Sequence, residues 1–151
     1  MDYLLQSMDY GTTCAAFALC NACITFGLPY PTPGTPEWEA LAFKHPFENT
    51  GARTFSLEKD RMAEELGLHR TSISYEDIPK RCPVIMSIRS HGDTKDRMLH
   101  DVLVLASHWQ FMLLVNYRWG NGPVLEWVEV TERMLPRNKT ARTCHAIEIV
   151  G

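Results

Sequence analysis

Four residues of this 151-residue chain have side chains whose types and order suit one piece of chemistry: Gln6, Cys14, His100 and Asn116. A thiolate is a strong nucleophile, and an imidazole within reach can hold it as an ion pair and later protonate a leaving group. An acceptor beside the imidazole fixes which ring nitrogen carries the proton. A side-chain amide upstream of the thiol, with the backbone N–H of the cysteine, can bind the oxyanion of a tetrahedral intermediate. The stretch LLQSMDYGTTCAAFALCNACITFG places Gln6 in a short polar loop and Cys14 at the head of an apolar helix. A helix end should lower the pKa of Cys14, because its unpaired N–H groups and the helix dipole favour negative charge. Cys20 and Cys23, inside the same helix, lack that advantage.

These groups need elements to hold them. Residues 14–27 read as a helix, with Thr12 or Thr13 able to cap its start and Gly27 before Pro29 as the stop. Only Asn21 and Thr25 are polar between Cys14 and Gly27, so this helix belongs at a domain centre, covered on most faces. GLPYPTPGTP is a loop, and Thr35-Pro36 then starts a short helix through about Phe43. After a polar loop at ENTGART, Ser56 opens SLEKDRMAEELGL, with Leu57, Met62, Ala63 and Leu66 as its buried positions. The segment 29–56 is the expected specificity element.

From residue 72 the pattern turns to strands: PVIMSI (83–88), HDVLVLA (100–106), FMLLVNY (111–117), VLEWVEV (124–130) and CHAIEIV (144–150). The gaps SHWQ and RWGNGP are short enough for hairpins, and TERML suits a single helical turn. The expectation is one α+β domain over residues 1–151, a central buried N-terminal helix packed on a mainly antiparallel, curled sheet. A hairpin around SHWQ brings together residues whose numbers sum to about 216. His100 and Asn116 satisfy that sum and should be cross-strand neighbours.

Composition narrows the function classes. Hydrophobic residues at 45% and charged residues at 22% are ordinary for a globular domain and exclude a disordered or fibrous chain. A net charge of -3 with dispersed Lys and Arg offers no general surface for nucleic acid or anionic lipid. The apolar stretch from Cys14 to Leu28 is too short and too polar to span a membrane, and it lacks the lead-in and exit of a signal peptide. Five cysteines without a regular framework point to reduced thiols and a cytoplasmic setting.

Gln, then Cys at the head of a buried helix, then His and Asn on adjacent strands resembles the order of papain-like cysteine peptidases. In size the chain is most similar to the double-glycine leader peptidases attached to bacteriocin-exporting ABC transporters and their stand-alone relatives. The likeness runs through LLQSMDYGTTCAAFAL, IPKRCPVIMSI, and HDVLVLA with LLVNYRWGNG and VEVTERML behind it. It implies a hydrolase cleaving an amide bond of a peptide or protein substrate, with no cofactor. Gln6 would be the oxyanion donor, Cys14 the nucleophile, His100 the general base and acid, and Asn116 the orienter. The chain departs from those peptidases at Ala15, where they usually have Gly, at Asp101, where they usually have an aromatic, and at Asn116-Tyr117, where they have Asp-Pro.

Those departures motivate an alternative, a catalytically silent binding module of the same fold. Acyl transfer to an amine would use the same acyl-enzyme as hydrolysis. Cys20 and Cys23 have metal-ligand spacing, with Cys144 and His145 as further ligands, but a mid-helix C-x-x-C lacks the turn that lets two thiolates converge, so no metal is expected. His108 falls in the expected hairpin turn and carries no assigned role. Trp38, Trp109, Trp119 and Trp127 are scattered over different elements, unlike a stacking platform for bases.

Overall fold

The computed structural model describes residues 2–6, 14–44, 56–89, 99–118 and 122–150. The capping threonines, ENTGART, Trp119 and Asn121 therefore lie outside the described residues, as does the side chain of Leu57.

Helix α1 spans Cys14–Phe26, and its residues from Ala15 to Cys23 are all buried. Its run of Ala, Leu, Phe and Cys presents an apolar surface on every side, so neighbouring layers rather than water must cover it. Gly27, at φ 72, ends it: Leu28 N–H reaches back to the Cys23 carbonyl at 2.9 Å and Gly27 N–H to that of Ile24 at 3.2 Å. Helix α2 spans Pro36–Lys44 and begins as its sequence suggests, with Thr35 Oγ1 accepting the Trp38 N–H at 3.3 Å. Trp38 is fully buried and meets Phe17 of α1 edge-on, ring centroids 4.7 Å apart. Helix α3, Ser56–Glu65, stops at Gly67 (φ 78) and buries Met62 and Ala63, while Leu66 is partly buried.

Six antiparallel strands form one sheet in the order β1-β6-β2-β3-β4-β5. They are β1 Leu68–Ser72, β2 Val84–Arg89, β3 Leu99–His108, β4 Phe111–Val115, β5 Leu125–Glu129 and β6 Cys144–Ile149. A four-residue helix, α4 (Ile78–Arg81), precedes β2. The TERML turn is a single 3₁₀ turn, Glu132–Met134. The α+β expectation holds, with a correction at the start of the sheet: β1 begins at Leu68, before the strands expected from residue 72. Its sequence, LHRTS, has one buried apolar residue, Leu68, and pairing along the whole strand with β6 supplies what its own pattern lacks.

Side-chain alternation gives the sheet two buried faces. Ile85, Leu103, Val115 and Ile147 pack with α1, α2 and α3, while Val84, Met86, Val102, Val104, Leu114 and Ala146 form a second core on the other side. No helix among the described residues is long and apolar enough to cross a membrane.

The β3–β4 hairpin forms where expected, but its register differs. Leu103 faces Val115 and Val104 faces Leu114, and an irregularity between Val104 and Ala106 shifts the pairing toward the turn. The pair sum is thus 218 near the site, not 216, so His100 and Asn116 are not directly opposed. The difference arises at the turn, which falls at Trp109 and Gln110 so that His108 faces Phe111; the irregularity near Ala106 shifts the pairing by only one residue.

Candidate active site

Residues 2–6 are docked on α1. Tyr3 Oη and Thr25 Oγ1 share a hydrogen bond of 3.1 Å. Leu4 N–H donates to Asn21 Oδ1 at 2.7 Å, and Asn21 Nδ2 donates to the Leu4 carbonyl at 3.1 Å. The two polar residues that interrupt the apolar run of α1 therefore both serve this segment. Gln6 follows, 1% exposed, with its backbone N–H on Asn116 Oδ1 at 2.9 Å.

Asn116 lies just past β4 with φ 61, a left-handed conformation that asparagine tolerates better than most residues. Its side chain faces the N-terminal segment, accepting from Gln6 N–H and donating from Nδ2 to the Leu4 carbonyl at 2.8 Å. Its backbone carbonyl, instead, accepts from His100 Nε2 at 2.6 Å. This corrects the expected pairing of side chains: Asn116 meets the imidazole through its main chain. A carbonyl only accepts, so Nε2 carries the proton and Nδ1 is the basic nitrogen. Burial lowers the pKa of His100, against the opposing pull of the Asn116 carbonyl and the nearby Asp101 charge.

Cys14 opens α1 and lies against the backbone N–H of Asp101, the residue next to His100 on β3. The thiol and the imidazole-bearing strand are thus neighbours. The thiol is not activated at rest, however. Burial pushes its pKa up to about 11, and the Asp101 carboxylate pushes the same way; Lys59 and the N–H groups of Asp101 and Ala15 pull it back only in part. The expected lowering by the helix end is overturned because desolvation outweighs the dipole. Cys20 and Cys23 are buried in the core and raised by burial too, Cys23 to about 11.

Alternation turns His100 toward the Ile88 and Val102 face and Asp101 toward α1 and α3. There Asp101 Oδ2 meets Lys59 Nζ of α3 at 2.6 Å, and Oδ1 accepts from Ser87 Oγ of β2 at 2.8 Å. Burial alone would raise the Asp101 pKa; Lys59, Ser87 and His100 together hold it below the usual carboxylate range. The same charged group extends to β6. Arg70 binds Asp60 at 2.7 Å and His145 Nδ1 at 3.2 Å, and burial, then Arg70 and Lys59, push His145 down to about 4.

A histidine kept neutral in the fold is protonated first in the unfolded chain. Stability should therefore fall as pH drops from roughly 6.5, the ordinary histidine value, to about 4. Urea midpoints measured across that window should slope less in His145→Gln.

Hydrogen bonds join Gln6 and His100 through Asn116, and Cys14 lies beside Asp101, the chain neighbour of His100. Sequence reasoning missed Lys59 and Ser87, and treated Asn21 only as a break in an apolar run. Asp101 carried a signal, an acid where the similar peptidases have an aromatic. Lys59 carried none, since only the packing of α3 against the sheet brings it to β3.

No family model and no curated protein matches the sequence. Solved structures do match the fold. The N-terminal peptidase C39 like domain of a toxin secretion ATP-binding protein from Vibrio parahaemolyticus superposes with a TM-score of 0.56 at 14% identity, covering 90% of this chain and 96% of that one. The peptidase domain of Streptococcus ComA, a bi-functional ABC transporter of a quorum-sensing pathway, does so with a TM-score of 0.62 at 16% identity, covering 98% of each chain. A buried N-terminal helix laid on an antiparallel sheet, matched over nearly its full length, gives this chain the papain-like fold of the peptidase domains of ABC transporters.

Proposed function

We propose that the chain is a cysteine hydrolase acting on peptide amide bonds, with Cys14 as nucleophile, His100 as base and acid, and Gln6 as oxyanion donor. One observation carries this reading: the thiol at the head of the buried helix rests beside the strand residue next to a histidine whose Nε2–H is held by a carbonyl. The fold shared with a peptidase domain and a peptidase C39 like domain supports it.

With the thiol raised to about 11, the reaction starts from thiol and neutral imidazole, not from a preformed ion pair. His100, which faces the Ile88 side of the sheet at rest, swings round the start of β3, and its Nδ1 takes the proton as Cys14 Sγ bonds to the substrate carbonyl carbon. The carbonyl π electrons move to oxygen, and the Gln6 amide and Cys14 N–H hold that oxyanion. The C–N bond then breaks, and the imidazolium gives its proton to the departing amine. A low imidazole pKa makes that donation favourable. Water, deprotonated by His100, cleaves the thioester and restores the thiol.

A specific observation favours a second reading, a silent binding module: Asp101 places a carboxylate where it opposes a thiolate. One experiment separates the two. The chain is mixed with p-nitrophenyl acetate and, separately, with a randomised peptide mixture, and both are read by mass spectrometry. An acetyl adduct confined to Cys14, together with new peptide termini that vanish when Cys14 is alkylated beforehand, supports the hydrolase. Acetylation spread evenly over accessible nucleophiles, with unchanged peptides, rejects it.

A further inference from the structure

We propose that Asn21 and Asn116 are positioning residues: their side-chain amides form a clamp that stands in for a missing β-strand along residues 4–6 and sets Gln6 in place. This deepens the hydrolase reading and rests on the role given there to Gln6.

In an extended segment the N–H and C=O of one residue point to the same edge, and so do those two residues on. Leu4 N–H, Leu4 C=O and Gln6 N–H behave as such a row, since one asparagine meets the first two and another the last two. Among the described elements, none of the strands includes residues 2–6. Asn21 instead binds both groups of Leu4, at 2.7 and 3.1 Å, and Asn116 bridges the Leu4 carbonyl and the Gln6 N–H, at 2.8 and 2.9 Å. A carboxamide can turn a donor and an acceptor to the same side, so each asparagine replaces the N–H and C=O that one residue of a neighbouring strand would present. The orientation of both amides is forced. Turning either one over would set donor against donor and acceptor against acceptor.

Burial shows how much the arrangement matters. Asn21 is 0% and Asn116 3% exposed, so an unmatched amide at either position would be costly. The clamp is also joined to the base. The carbonyl of Asn116 holds His100 Nε2 at 2.6 Å while its side chain holds Gln6 N–H. One left-handed residue thereby ties the base and the oxyanion loop to a common point. The side chain of Asn116 acts on Gln6, and only its main chain acts on the imidazole.

Replacement by aspartate tests this. A carboxylate would serve an imidazole orienter well, but in the clamp it loses the donor to the Leu4 carbonyl. Asn21→Asp and Asn116→Asp should each slow acetylation of Cys14 by p-nitrophenyl acetate by about tenfold or more, up to the hundredfold typical of a lost oxyanion donor. The pH dependence of the rate should keep its midpoint. In a Gln6→Ala chain neither substitution should cost more than about twofold further, since both act through Gln6. Additive losses, or an Asn116→Asp chain as fast as the unmodified one, overturn the proposal. Amide hydrogen exchange gives a readout independent of activity. Leu4 and Gln6 should be protected in the unmodified chain and lose protection in both variants, while β3 keeps its own. Free exchange of Leu4 and Gln6 in the unmodified chain overturns the clamp. Protected amides in a chain that is never acetylated overturn the hydrolase reading, and with it the role of Gln6, while leaving the clamp as a structural device.

Discussion

Replacing His100 with alanine should slow acylation of Cys14 at pH 7 by at least about a hundredfold. The size follows from the state of the thiol. With a pKa of about 11, Cys14 is ionised at neutral pH in only a very small share of molecules, roughly one in ten thousand. Without a base, only that share can attack. An imidazole whose Nδ1 takes the proton during attack removes this restriction, which is why the histidine matters more here than beside a preformed thiolate. The loss has its own signature. In His100→Ala the residual rate should climb about tenfold per pH unit between pH 7 and 9, following the thiolate fraction, whereas the unmodified chain should follow the imidazole. Stopped-flow release of p-nitrophenol measures both profiles. A substituted chain with an unchanged rate and a flat profile would remove His100 from the mechanism.

Lys59→Met should destabilise the fold by about 3–5 kcal/mol, the range for removing one partner of a buried ion pair. The side chains of Lys59 and Asp101 are only 17% and 7% exposed, so water cannot substitute for the lost ammonium. Ser87 still donates to Oδ1, but one hydroxyl does not balance a buried charge. Since the Asp101 pKa is depressed in the fold, its contribution is present above the ordinary aspartate value and is lost as acid drives pH down through the folded value. Without Lys59 that loss should begin at higher pH. Urea unfolding at pH 7 and pH 5 tests both statements, and equal midpoints for the two chains would contradict them. Asp101→Asn should act oppositely on the thiol. It removes the carboxylate that raises Cys14 and keeps the lysine that lowers it, so iodoacetamide labelling at pH 8 should quicken by about tenfold or more.

Local chemistry made much of this molecule legible from its residues. Gly27 ends α1 as a glycine before a proline should, and Thr35-Pro36 starts α2. The continuous apolar run PVIMSI announced β2 as a strand covered on both faces. Strand β1 was hidden, because LHRTS takes its conformation from β6, far along the chain. The packing of the helix opening at Cys14 against the strand carrying His100 followed from element order, since a buried helix must lie on the sheet. The contacts of the site did not follow. The hairpin turned at Trp109 and Gln110, later than the expected register needs, and a positive φ at Asn116 exchanged the jobs of its side chain and its carbonyl. The thiol's pKa was misjudged because burial, the larger influence, depends on what covers the helix end, and sequence position alone does not reveal that.

The clamp closes over a long stretch of chain: Asn116 follows Gln6 by 110 residues and Leu4 by 112. During synthesis the front of the polypeptide leaves the ribosome long before its partner emerges, so Leu4 and Gln6 must wait on the nascent chain for an amide not yet translated. Maturation of the thiol's surroundings is consequently a late event, timed by translation of the hairpin and not by the early appearance of the cysteine.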